Sequence, residues 1–188
     1  DSASSFFTWM PNCSQVRIQP YTVLFKARDN GKPVNLFDLK TLRIKVIAPA
    51  PKNTSAIATG ISVNLNWDAG YCNKVAGYKI YRKENPNPFT SDTCETGMPD
   101  GTGYSLIKTT TDTTTFLNDN TTILGKNYCY RIVAYYANGS ESKVSQEVCV
   151  ELKKVVPAIL NVSINNTSAT NGSVFLKWMK ATDLDVPQ

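Results

Sequence analysis

The sequence predicts an all-β fold of tandem Greek-key sandwiches, one complete and two partial. Three stretches carry that expectation. Val63, Leu65 and Trp67 alternate with Asn64 and Asn66. Tyr78 and Ile80 alternate within Gly77 to Arg82. Tyr128, Tyr130, Ile132 and Ala134 alternate within a third run. Period two over five or more residues marks a strand with one buried face. Three such faces can interdigitate as the core of two packed sheets. The expected core is therefore Trp67, Tyr78, Ile80, Tyr128, Tyr130 and Ile132. Helical periodicity is absent throughout.

Residues 1–48 read as the trailing part of a module. Phe7 and Trp9 alternate, followed by Pro11 and Cys13. Tyr21, Val23, Phe25 and Ala27 form a strand closed by the turn signal Asp29-Asn30-Gly31. Leu42, Ile44 and Val46 return. Two or three strands cannot hide an apolar face alone. Its cover is expected upstream of Asp1 or from elsewhere.

Ala48-Pro49-Ala50-Pro51 reads as a short stiff linker, because proline removes ladder donors and favours extended backbone. Residues 49–154 are the complete unit. Strands are expected near 54–59, 61–67, 75–83, 104–109, 114–117, 127–136 and 143–152, with Asn138-Gly139 turning the last hairpin. Pro157 marks a second linker. Residues 155–188 start again: Val174-Phe175-Leu176-Lys177-Trp178 repeats Val63-Asn64-Leu65-Asn66-Trp67 in register. The pattern begins and stops midway, as in a piece of a longer chain.

Composition narrows the chemistry. The chain has 188 residues and a net charge of +5, without a block of five basic residues. This suits a solvated surface, and no nucleic-acid partner is expected. Histidine is absent. That removes the commonest general base, the Ser/His and Cys/His pairs and the usual zinc ligands. No run of 18 apolar residues occurs, so no direct membrane insertion is expected.

The ordered set Val63…Leu65…Trp67, Gly77-Tyr78-Lys79-Ile80-Tyr81-Arg82 and Leu124-Gly125-Lys126-Asn127-Tyr128-Cys129-Tyr130-Arg131-Ile132 resembles a fibronectin type III domain. The resemblance implies an immunoglobulin-like sandwich. It puts the tryptophan on the second strand and makes Tyr128 the tyrosine of the corner. Residues 174–178 look like the start of a second copy. Residues 7–48 look like the end of a cadherin-like or immunoglobulin-like module. Trp9-Met10-Pro11-Asn12-Cys13, Asp38-Leu39-Lys40 and Cys94-Glu95-Thr96-Gly97 are also similar to large type IX-secreted surface proteins of gliding Bacteroidota-type bacteria.

The five cysteines lack a C-x-x-C pair, so a metal or redox site is not expected. In an all-β chain they suggest an oxidising compartment. Cys129 and Cys149 both point away from the core and fall nearly opposite each other across the hairpin turn at 138–140, so a cross-strand disulfide is expected. Cys72 and Cys94 are expected to pair, tethering the long loop between residues 84 and 103. A bond from Cys94 to Cys13 across modules is the competing arrangement. Under the preferred pairing Cys13 is left over, with its partner upstream of Asp1.

The same loop carries Phe89 and Met98 and reads either as a binding loop or as cover for a sheet edge. Trp9, Trp67 and Trp178 read as core rather than as a sugar-stacking platform. The acidic residues Asp29, Asp68, Asp112 and Asp119 are scattered, and Asp183-Leu184-Asp185 lacks calcium-loop spacing. Neither cofactor nor metal is expected. Asn-x-Ser/Thr sequences at Asn12, Asn53, Asn120, Asn138, Asn161, Asn166 and Asn171 would be glycan acceptors in a eukaryotic secreted chain.

The function expected is a non-catalytic spacer or adhesive segment of a large cell-surface protein. Its partners are other modules of the same polypeptide, with a surface glycan or protein as the external ligand. Two alternatives stand beside it: an accessory region of a secreted carbohydrate-active or proteolytic enzyme, and a eukaryotic receptor ectodomain.

Overall fold

A computed structural model describes residues 4–72, 74–86, 88–153 and 158–179. The expected linker at Pro157 and the pair Asp183 and Asp185 lie outside these residues. Apart from a 3-10 turn at Cys13–Gln15, the described elements are strands. In chain order they are β1 (Tyr21–Arg28), β2 (Phe37–Ile44), β3 (Ser55–Thr59), β4 (Ser62–Asn66), β5 (Val75–Glu84), β6 (Ser105–Thr109), β7 (Phe116–Asp119), β8 (Lys126–Tyr136), β9 (Val148–Leu152), β10 (Ala158–Asn166) and β11 (Ser173–Met179).

Strands β3 to β9 form a sandwich. One sheet runs β3-β4-β7 and the other β6-β5-β8-β9, all pairs antiparallel. The alternating residues meet between the sheets. Val63, Leu65, Trp67, Tyr78, Ile80, Tyr128, Tyr130, Ile132, Ala134 and Leu152 form one buried cluster. Trp67 meets Tyr78 edge-on at 5.3 Å between ring centres. Three tyrosines fit this core because each hydroxyl finds a partner, as a buried phenol must. Tyr78 accepts from the Gly70 amide at 3.0 Å. Tyr128 accepts from the Ile123 amide at 3.1 Å, which fixes the corner leading into β8. Tyr130 donates to Asp119 at 2.9 Å.

Gly77 shows why one strand position carries no side chain. A Cβ there would lie 2.1 Å from the Thr110 carbonyl oxygen and 2.8 Å from the Tyr135 ring. The hydroxyl of Tyr135 donates to that same carbonyl at 2.7 Å.

The last strand departs from the expected span of 143–152. Regular pairing begins only at Val148. Before it, two serine hydroxyls take the place of ladder carbonyls. The Ala134 amide donates to Ser142 Oγ and the Ile132 amide to Ser145 Oγ, each at 2.9 Å. The Ser142 and Ser145 amides return bonds to the Ala134 and Ile132 carbonyls. The pairing survives in altered form, and both serines are buried.

Two hairpins flank the sandwich. In β1-β2, Tyr21, Val23 and Phe25 share a face with Ile44 and Leu42. Phe7 and Trp9 lie against that face, edge-on to Phe25 and Tyr21 at 5.9 and 4.9 Å. In β10-β11, Val162 and Ile164 pair with Leu176 and Val174. Its apolar side chains are exposed, Trp178 by 58%. The expectation that Trp178 is core therefore fails among the described residues, because only Trp67 has a facing sheet.

Candidate functional site

The junction between the first hairpin and the sandwich is the most developed feature outside the main core. It begins with Asn12, which caps the 3-10 turn: its side chain accepts from the Ser14 amide, while Gln15 accepts from the Asn12 amide. The turn aims Cys13 at the sandwich, where it is bonded to Cys72, with 5.3 Å between Cα atoms. This corrects the expected Cys72–Cys94 pairing. Cys94 is a free, exposed thiol in the long loop. The N-terminal segment folds back onto the sandwich and brings Cys13 beside Cys72. A disulfide closing so long a loop is worth about 4 kcal/mol in the chain-entropy account.

Around the disulfide lies a second core. Val16, Val46, Ala48, Cys72 and Tyr136 are buried together, with Trp9, Tyr21 and Val75 against them. Polar contacts frame it. Asn138 Nδ2 donates to the Val16 carbonyl at 2.8 Å. The Lys143 amide donates to the Ala48 carbonyl at 3.0 Å, beside a parallel bridge from Ala48 to Ser142. Ala48, the first residue of the expected linker, is thus wholly buried.

The second disulfide joins Cys129 to Cys149 across β8 and β9, at directly paired positions. Cys129 is on the outer face of its strand yet 0% exposed. Arg131 on the same face is buried too. The loop between residues 84 and 103 explains this. Its Phe89 ring lies 4.2 Å from the Arg131 guanidinium, and Tyr104 stands at 5.9 Å. Arg131 donates to the Ser145 carbonyl at 3.0 Å and the Phe89 carbonyl at 3.4 Å. Glu147 approaches at 4.0 Å and accepts from the Tyr104 hydroxyl. Burial and that bond to Glu147 push the Tyr104 hydroxyl far above its ordinary value, so it remains a donor. The Gly97 amide adds a bond to the Ser142 carbonyl at 2.9 Å. The loop therefore covers a sheet face, without a disulfide to hold it. Phe89, Tyr104 and Glu147 are spread through the sequence, so only a period-two reading of Arg131 was open to sequence reasoning.

A third cluster closes the far end of the sandwich. Asp119 is buried and accepts from Arg82 Nη1 at 2.8 Å, Tyr130 at 2.9 Å, and the Thr121 amide and hydroxyl at 3.0 and 2.7 Å. Burial alone would raise its carboxyl. The bonds from Thr121, Arg82 and Tyr130 outweigh burial and hold it below the usual range. Burial, then the bond to Asp119, push the Tyr130 hydroxyl far up.

The other carboxylates do not join this cluster: Asp68 accepts from Asn53, Asp112 from the Thr114 amide, and Asp29 from Gly31 and Leu36. Glu147 lies near Cys129 and Cys149. Both sulfurs are spent in the disulfide, so this group offers no thiolate to a metal. Among the described residues, no helix is long and apolar enough to cross a membrane.

Three strands facing four, in the order β3-β4-β7 against β6-β5-β8-β9, define a fibronectin type III-like sandwich. Solved structures of similar fold include domains A168–A170 of titin. They are 17% identical, covering 63% of this chain and 37% of that one, with a TM-score of 0.43. An Fn3-like protein from Clostridium thermocellum is 27% identical over 58% of this chain and 98% of its own, with a TM-score of 0.40. Pectate lyase PelI from Erwinia chrysanthemi, solved with tetragalacturonic acid, is 21% identical over 56% and 28%, with a TM-score of 0.41. No family profile and no curated protein matches the chain.

Proposed function

We propose that this chain is a non-catalytic segment of a large extracellular, multimodular surface protein, serving as spacer and adhesive repeat. The observation that carries the reading is the junction. A disulfide, a small apolar core and backbone bonds join the first hairpin to the sandwich as one stiff body. Such a joint suits a part that sets a distance. Two disulfides in one short chain favour an oxidising compartment outside the cell. The repeat of Val63–Trp67 at Val174–Trp178 favours modules in series across 1–48, 49–154 and 155–188.

Its partners are other modules of the same polypeptide, and a surface glycan or protein ligand held weakly through many copies. Type IX secretion by a gliding bacterium is the finer form of this proposal, and rests on the sequence resemblance alone.

The test is labelling of intact producing cells with a membrane-impermeant thiol reagent. Cys94 should react at once, and Cys13, Cys72, Cys129 and Cys149 only after reduction. A protein protected inside intact cells, with Cys13 and Cys72 free on lysis, would overturn the proposal.

A further inference from the structure

Each disulfide joins points distant in sequence and adjacent in space. Cys13 and Cys72 are 59 residues apart, Cys129 and Cys149 are 20 apart, and the Cα separations are 5.3 and 4.0 Å. At ~3.4 Å per extended residue, the first loop could lengthen to about 200 Å if cut and the second to about 70 Å. The first loop contains β1, β2, the proline linker, β3 and β4. The second contains most of β8 and the serine-bonded approach to β9.

We infer that tension applied along this chain bypasses the β1-β2 and β3-β4 hairpins altogether. Force passes from the segment before Cys13 directly to Cys72. It then runs through β5, β6, β7 and the start of β8, and crosses from Cys129 to Cys149. The load falls on β5, which is paired on both sides by β6 and β8, and on the short β8-β9 ladder from Lys126 to Tyr128. Val63, Leu65 and Trp67 ride on a closed loop that bears no load.

Two consequences follow for a module under pull. Its lengthening is capped by covalent bonds rather than by packing. The β1-β2 and β3-β4 hairpins stay tethered in a closed loop, never drawn out as free strands with open edges, which invite pairing with other chains. The use of this path to the cell rests on the spacer reading, but the path itself does not.

Single-molecule pulling on the whole chain from its two ends tests it, with Cys94→Ser in every variant to block thiol exchange. The fully unfolded length should rise by about 200 Å when Cys13→Ser and Cys72→Ser are added, and by about 70 Å for Cys129→Ser with Cys149→Ser. A variant that folds poorly still reports its unfolded length. As a second measurement, parent chain held extended should lengthen in steps of these two sizes when a phosphine reductant is admitted. Equal lengths for the parent and the Cys13→Ser/Cys72→Ser variant would overturn the inference. With Cys94 intact, a step of about 75 Å in place of the larger one would assign Cys72 to Cys94 and overturn it as well. The lengths are read on purified chain oxidised in vitro, whatever compartment the cell labelling reports, so the two proposals fail separately.

Discussion

Replacing Asp119 with alanine tests how the far end of the sandwich is held. The substitution leaves the Tyr130 hydroxyl buried without an acceptor. An unpaired buried hydroxyl costs about 1–3 kcal/mol. Arg82 loses its carboxylate but is partly exposed, so water recovers much of its interaction. Together the losses should reach about 3 kcal/mol, the low end for breaking a buried pair. In a sandwich of this size that lowers Tm by about 15 °C. Tyr130→Phe removes the orphan along with the bond. The double variant should therefore be at least about 1 kcal/mol more stable than the sum of the single effects implies.

The acid limb gives an independent reading. A carboxyl lowered by folding stabilises fully above its unfolded value of about 3.9 and loses that contribution as pH falls through its folded value. Thermal melts by circular dichroism from pH 7 to pH 2 should show the parent losing stability faster than Asp119→Ala below about pH 4. A variant melting within a few degrees of the parent at pH 7, or parallel acid limbs, would refute the reasoning.

Ser145→Ala should cost about 1–2 kcal/mol in urea unfolding, because it strands the buried Ile132 amide; an unchanged midpoint would mean the approach to β9 can re-form ordinary pairing. Gly77→Ala should cost more than about 2 kcal/mol, because its Cβ meets the rigid Thr110 carbonyl; a cost under about 0.5 kcal/mol would show that β6 can shift away freely.

Strands β4, β5 and β8 could be read from the sequence because their alternation reports one buried face directly. Cys129 and Cys149 were legible from the same alternation, which puts both on the outer face near each other, although a two-residue shift between the Tyr135–Glu141 bridge and the β8-β9 ladder is what sets them directly opposite. Cys13 was not, because its bond to Cys72 depends on the N-terminal segment folding back, and no local pattern encodes that path. Arg131 shows where that rule stops. Alternation put it outward, and outward normally means wet. A loop with a single well-placed ring at Phe89 makes that face a second interior. The serines at 142 and 145 look like ordinary strand residues until their hydroxyls are seen standing in for carbonyls.

The side-chain amide of Asn138 bears on the choice of expression host. Its nitrogen is held by the Val16 carbonyl, across the seam between hairpin and sandwich. The same nitrogen is the attachment point of an Asn-Gly-Ser sequon. A sugar transferred there during synthesis would arrive before the seam closes and would wedge it apart. A glycosylating host would then yield material with a native sandwich and a gaping joint, whereas a bacterial periplasm would deliver the joint shut.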